Sequence, residues 1–240
     1  MSLWLALAED ADMLAALHDR ELTAEMIAAL READFPANLG LLPWDGKARR
    51  IWRMMAEALP ADAAPATLDR LAVDYAAIYL TGAYGVSPCE SVWLDDDHLT
   101  CQAPMFALRA LYAAAGLAAA DWRKRPDDHL VLQLLCVAHL LRRAQAADDL
   151  RRLAVLLDEH LLRWLPDFAA GAAARCAQPF FAALAGLTSA WGERLRDLLA
   201  EHLDEPRPTR EQIAALAARS APTQTESAPL AYVPGVAPSW

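Results

Sequence analysis

The sequence predicts an all-α protein, a single-domain helical bundle of about eight to ten helices. Three observations carry this reading. Fifty-four Ala and forty Leu stand against only twenty Val, Ile and Thr taken together. Ala and unbranched Leu lose little on entering a helix, whereas β-branched residues favour strands. Apolar residues recur at spacings of three and four between proline and glycine breaks, the period of a helix with one buried face. Hydrophobic residues make up 56% of the 240 positions with only nine Gly, which excludes a wholly disordered chain and supplies a sizeable core.

In chain order, Leu3, Leu7, Leu14 and Leu17 share one helical face. A short helix from Thr23 to Ala33 stops before Phe35-Pro36, and Pro43-Trp44-Asp45-Gly46 reads as a turn with Gly46 free to take a positive φ. A helix from about Lys47 to Leu59 ends at Pro60. Thr67, followed by Asp69, reads as the N-cap of a helix through Leu80. Residues 81–103 break the pattern with Gly82, Gly85, Pro88 and three consecutive aspartates, and a connection of that length is uncommon without a task. From Pro104 a helix runs past Tyr112 to Gly116. After a polar break at 121–128, Asp127 or Asp128 is placed to cap a helix from Leu130 to Ala146. Another helix covers Asp149 to Leu162 with Pro166 closing it, and Pro179 opens a long one through Leu203. The helical domain spans 1–205. In 206–240, Thr209 and Gln212 form a capping box for a short helix to Arg219, and a proline-rich tail expected to be loosely ordered follows.

A net charge of −10 argues against nucleic acid, since phosphate backbones need a basic face. The field favours a basic ligand. The longest apolar run, Ala110 to Ala120, is too short to span a bilayer, and Glu9, Asp10 and Asp12 follow the apolar start too closely for a signal peptide. With four widely spaced cysteines and no CxxC pair, the chain reads as cytoplasmic, with reduced thiols. No Ser-His-Asp order, phosphate loop or HExxH occurs, so catalysis has little support and no cofactor is expected.

Several constellations admit two readings. Asp127-Asp128-His129 is either a helix N-terminus with capping carboxylates or a functional cluster, a choice the residues by themselves tilt to the cap. Asp95-Asp96-Asp97-His98 is a solvated loop, an electrostatic lure for a cationic peptide or, least well, a metal site, because consecutive aspartates diverge. Tyr75 and Tyr79 lie four apart on one helix face and, with Trp93, are either core or the mouth of an apolar groove. His18, His139, His160 and His202 lie in helices without paired ligand spacing and read as structural or solvent-facing.

Three blocks then stand in order: Leu71 to Leu80 with Ser87-Pro88-Cys89-Glu90-Ser91-Val92-Trp93-Leu94; Pro126-Asp127-Asp128-His129-Leu130; and Glu159-His160-Leu161-Leu162-Arg163-Trp164-Leu165-Pro166 before Pro179-Phe180-Phe181. Over roughly residues 70–200 this succession resembles the TorD/DmsD family of cytoplasmic molybdoenzyme-maturation chaperones. The family's Glu-Pro-x-Asp-His hallmark is kept at Pro126, Asp128 and His129, with Arg125 in place of the Glu. Arg163 stands where the family usually has proline.

The resemblance implies an all-helical chaperone, not an enzyme, in monomeric or helix-swapped dimeric form, with the 121–128 segment as the hinge. Its implied partners are a twin-arginine signal peptide and the apo-form of a molybdoenzyme catalytic subunit, kept from export until the cofactor is loaded. The site it implies gathers Asp128, His129, Asp127, Pro126, Trp93, Tyr79, Tyr75, Glu90, Asp95, Asp96 and Asp97. Carboxylates there would accept bidentate hydrogen bonds from arginine, and His129 would tune affinity by switching charge near neutral pH. The alternatives are a helical subunit of a larger redox assembly and a metal-dependent helical enzyme using His98 and His129.

Overall fold

A computed structural model describes residues 2–120, 124–209, 211–213 and 215–216. Ten α-helices follow in order: α1 (Leu3–Asp19), α2 (Ala24–Glu32), α3 (Gly46–Ala58), α4 (Pro65–Tyr75), α5 (Ser91–Leu94), α6 (Ala103–Ala114), α7 (Leu130–Arg143), α8 (Ala147–Leu156), α9 (Leu162–Arg175) and α10 (Pro179–Leu203). A π turn, Ala76–Leu80, extends α4, and a second, Leu157–Leu161, joins α8 to α9. Among the described residues there is no strand, and one isolated antiparallel bridge links Cys89 to His129.

The core is built on two extensive pairings, α1 against α7 and α9 against α10, with α3 laid on α10. Helix α1 buries Leu7, Ala8, Ala11, Leu14, Ala15 and Leu17, while Leu3 stays half exposed at its first turn. The alanines let α7 approach with Leu134, Val137, Ala138 and Leu141, all buried. Fully burying a leucine stabilises by roughly 1.5–3 kcal/mol, so this seam is a main source of stability. Helix α10 adds Phe180, Phe181, Leu184, Leu187, Trp191, Leu195 and Leu199 to the same core.

Two buried carboxylates tie loops and turns into that core. Asp10 of α1 accepts hydrogen bonds from Gly40 N–H (2.8 Å), Leu41 N–H (3.3 Å) and the Trp191 indole (3.0 Å). These bonds fasten the 39–41 segment across α1 and α10. Asp158, in the second π turn, receives the Arg196 guanidinium at 2.8 Å, and both side chains are almost fully buried.

Helix boundaries follow local chemistry, in places not where the sequence pattern puts them. Asp45 caps α3 through Ala48 N–H at 2.7 Å, so Gly46 is the first helical residue and its φ is not positive. Helix α4 starts at Pro65, which suits the first turn, and Thr67 is internal: its hydroxyl donates to Asp62 at 2.8 Å. Helix α7 is capped by His129, whose Nδ1 accepts from Val131 N–H, and not by Asp127 or Asp128.

Pro166 lies inside α9 instead of closing a helix. In a regular helix its ring would meet the carbonyl of Leu162. Here the π turn ends at Leu161, and the ψ of −6° at the following Leu162 turns that carbonyl aside and lets the helix continue. The 81–103 connection is irregular, as its composition indicates, apart from the single turn of α5.

Helix α6 ends in a Schellman motif: Gly116 takes φ +76°, Leu117 N–H reaches Tyr112 O at 2.8 Å, and Gly116 N–H reaches Ala113 O at 3.0 Å. No side chain crowds Gly116, so its glycine requirement is conformational. Gly116→Ala is expected to lower unfolding free energy by about 1 kcal/mol, read as a shifted urea midpoint at unchanged slope.

Thr209 and Gln212 form the expected capping box, with Thr209 N–H to Gln212 Oε1 at 2.8 Å and Gln212 N–H to Thr209 Oγ1 at 3.2 Å. Residues 211–213 and 215–216 are helical. The expectations for 217–240, and for residues 121–123 of the hinge, lie outside the described residues. Among the described residues no helix is long and apolar enough to cross a membrane.

Candidate functional site

The conspicuous polar centre of this helical body sits where the 87–103 segment meets the start of α7. Leu130 N–H donates to Pro88 O at 2.8 Å, and Glu90 N–H donates to Asp128 O at 3.2 Å, so the two chain segments lie edge to edge. Beneath them is a buried network. Glu90 accepts from Gln133 Nε2 and from His160 Nδ1, each at 2.9 Å. Gln133 Nε2 also donates to Asp128 O at 3.0 Å, and the Asp128 carboxylate receives Ser91 N–H at 2.7 Å. Glu90, Ser91, Asp128 and Gln133 expose no surface. Burial pushes the Glu90 carboxyl above the usual carboxylate range, with the His160 hydrogen bond opposing.

A second pair of residues anchors the rim. Asp127 accepts from Arg109 Nε of α6 at 2.5 Å, and its carbonyl accepts from the Tyr112 hydroxyl at 2.9 Å. The Arg109 guanidinium also lies 5.4 Å from the centre of the exposed Phe106 ring. Arg125, at the hallmark position, pairs with Asp19 at the end of α1 at 2.5 Å. The Trp93 indole donates to Ser87 O at 2.8 Å, and its ring packs with Val86 against Gly171 of α9. Pro126 is half-buried and contributes its carbonyl to His129 N–H.

The tyrosines belong to the core. Tyr75 and Tyr79 stack at 4.8 Å, and both pack against Phe181. The Tyr75 hydroxyl donates to Asp19 O at 2.7 Å. Tyr79, in the first π turn, meets Nδ1 of the fully buried His18 at 2.5 Å. The His18 Nε2 lies 2.9 Å from Thr188 Oγ1, whose hydroxyl donates to Leu184 O. Thr188 therefore accepts from Nε2–H, and Nδ1 accepts from the tyrosine. Burial pushes His18 down to about 3, in keeping with this neutral ring.

The expected site thus divides. Asp128, Glu90 and Asp127 are buried and already engaged, and His129 is 7% exposed. The three carboxylates are committed inside the fold: Glu90 and Asp128 join the 87–103 segment to α7, and Asp127 holds Arg109 and Tyr112 of α6. Burial also pushes His129 down to about 3, so it holds no charge near neutral pH to tune affinity.

What stands outside is the turn between α5 and α6. Gln102 N–H donates to Ser91 Oγ at 3.2 Å and closes it, His98 Nδ1 reaches Val92 O at 2.8 Å, and Asp97 N–H reaches Asp95 Oδ2 at 3.1 Å. Asp96, Asp97 and Leu99 are exposed there, with Asp95 half-exposed and Phe106 exposed on the next helix. The buried network holds this acidic and apolar projection in shape.

Gln133 and His160 escaped the functional reading of the sequence. A signal was present: each is a lone polar residue on an apolar helix stripe, Gln133 among Leu130, Cys136 and Val137, His160 among Leu156, Leu157 and Trp164. Such residues are buried only with partners. Among the described residues, no group of three or more His, Cys, Asp or Glu is arranged to hold a metal.

A family model described as nitrate reductase delta subunit matches residues 43–170, more than half of the chain and all of the junction just described. The chaperone protein TorD of Vibrio cholerae serotype O1 is 30% identical over 175 residues, covering 69% of this chain and 77% of that protein. The chain belongs to the TorD/DmsD family. TorD proteins from two further strains of the same serotype match at the same identity and coverage. These relatives are named chaperones, and the TorD/DmsD family is one of maturation chaperones, not enzymes. The Arg125 departure from its hallmark is here an ion pair to α1, placed where the chain enters the Asp127-Asp128-His129 stretch.

Proposed function

We propose that this TorD-type chaperone binds the twin-arginine signal peptide, and with it the apo-form, of a molybdenum-cofactor oxidoreductase in the cytoplasm, delaying export until the cofactor is inserted. Beyond family membership, the observation that carries the reading is the preshaped 95–101 turn. Three aspartates stand beside exposed Leu99 and Phe106, held by a fully buried polar network.

The physical division of labour is between apolar and charged contact. Covering on the order of 400 Å² of apolar ligand surface supplies roughly 10 kcal/mol gross at 25 cal/mol/Å². Ordering a flexible peptide removes several kcal/mol of that, leaving binding near the micromolar range. Exposed ion pairs, at about 0–1 kcal/mol each, add little affinity. They select, because a carboxylate meets a planar guanidinium through two hydrogen bonds and an ammonium through one.

Calorimetry tests this with a twin-arginine peptide, its Lys-Lys form, and the Asp95→Asn/Asp96→Asn/Asp97→Asn chaperone. The arginine peptide is expected to bind the parent protein about tenfold more tightly than the lysine form. The triple variant should lose most of that preference and bind with weaker salt dependence. Equal affinity for both peptides on the parent protein rejects the reading.

The description of the matching family model favours one second reading, a permanent subunit of a larger redox assembly. Stoichiometric co-purification with that assembly, in place of transient capture, would distinguish it.

A further inference from the structure

A second concave surface lies on a different part of the bundle. Helices α3, α9 and α10 enclose an open groove of about 570 Å³, within the size range of pockets that bury ligands. Ala169, Ala173, Ala183 and Gly186 form its sides, and α3 contributes Ile51 and Met54. Met54 is 52% exposed, an unusual position for a large apolar side chain with nothing on top of it.

The charge beside this groove is opposite to that of the molecule. The chain carries −10, yet α3 presents Lys47, Arg49, Arg50 and Arg53 within two turns, all exposed. Among the described residues none of these four pairs with a carboxylate, whereas Arg109, Arg142, Arg151 and Arg196 all do. Arg50 lies one turn before Met54 on the same face, and Arg53 lies one turn before Glu57, the groove's one carboxylate. Across the groove, α9 ends at the exposed Arg175, next to Cys176 in the lining.

We propose that this groove docks an amphipathic helix whose apolar stripe is flanked by acidic side chains. The apolar trough and the unbranched, adaptable Met54 suit a helix laid lengthwise with anchors one turn apart. Uncommitted guanidiniums beside it are positioned for carboxylates at the edges of that stripe. A cationic peptide meets like charges here, so this surface and the acidic 95–101 turn sort partners by sign. The acidic remainder of the chain repels an acidic helix elsewhere and steers it to α3.

Fluorescence anisotropy with two synthetic helices tests the assignment. Both carry the same leucine stripe, one flanked by glutamate and the other by lysine. At physiological salt the glutamate helix is expected to bind at least tenfold more tightly, and Arg50→Glu/Arg53→Glu should reverse the order. Ala173→Trp, filling the groove from an exposed position, should abolish saturable binding of the glutamate helix while leaving the twin-arginine peptide affinity within twofold. Circular dichroism establishes that each variant is folded, and the charge reversal alone decides if the Trp variant is not. Equal binding of the two helices, no saturable binding of the glutamate helix, or an unchanged preference after charge reversal overturns the proposal. Failure of the twin-arginine measurement would leave this one standing, because the two use separate surfaces.

Discussion

Glu90→Ala is expected to lower the unfolding free energy by about 3 kcal/mol and to weaken signal-peptide binding, although Glu90 exposes no surface. Removing its carboxylate strands His160 Nδ1 in the interior and leaves Gln133 Nε2 with the Asp128 carbonyl alone. A buried donor left without a partner costs about 1–3 kcal/mol, and the cavity left behind adds to this. Gln133→Leu should cost a similar amount, because it removes the bonds to both Glu90 and Asp128 O. The double variant should fall short of the sum by about 1–2 kcal/mol, as expected for members of one network. Urea unfolding measures all three energies. In each variant the 87–103 segment keeps its backbone bonds to α7 but loses the side-chain ties, so proteolysis within 95–101 should accelerate and affinity for the proposed peptide should fall in parallel. Loss of affinity with unchanged unfolding energy and unchanged proteolysis would instead make Glu90 a direct contact, against its burial.

That distinction bears on how much of the site could be read from the sequence. The fold was legible because helix propensity and apolar period agree along most of the chain: α1, α2, α6 and α10 begin and end within a residue or two of their signals. Boundaries failed where a competing local interaction won. His129 displaced the aspartates as a cap because its ring accepts from Val131 N–H while both carboxylates face inward to other donors. Pro166 failed to stop a helix because a π turn, which leaves no mark in the apolar period, had already moved the obstructing carbonyl.

The 81–103 loop and the start of the α7 helix do meet, and the residues at their junction lie deep in the fold. Glu90, Asp127, Asp128 and His129 do converge, as the ordered blocks imply, but they converge inside. A carboxylate at the surface and one buried against a backbone N–H look the same in one dimension. Their partners here, Ser91 N–H and the Gln133 amide, come from chain segments whose approach no local pattern encodes. Asp95, Asp96 and Asp97 escaped that fate because three adjacent carboxylates cannot all find buried partners, which leaves them to the solvent.

The same burial predicts how stability responds to acid. His18 and His129 are both held near 3, below the 6.5 of an exposed histidine, because burial disfavours the charged ring. Arg125 adds to this at His129, where Asp19 opposes it. Between pH 6.5 and 3 the unfolded chain therefore binds protons at these positions that the folded chain refuses. Stability from this source is fully present above pH 6.5 and falls below it by up to about 1.4 kcal/mol per pH unit for each ring. From pH 6.5 to 5.0 the two together remove about 3 kcal/mol. Glu90, Asp10 and Asp158 act in the opposite sense: burial raises their pKa, so the folded state takes protons first and gains stability as pH falls through those values. The test compares slopes across variants. His18→Gln loses the bonds to Tyr79 or Thr188 and starts less stable, but its unfolding energy should fall less steeply between pH 6.5 and 5.0, by about 1 kcal/mol per unit. Parallel curves for His18→Gln and the parent protein would mean that His18 titrates normally in the fold, against a ring fully enclosed by Tyr79, Phe168 and Thr188.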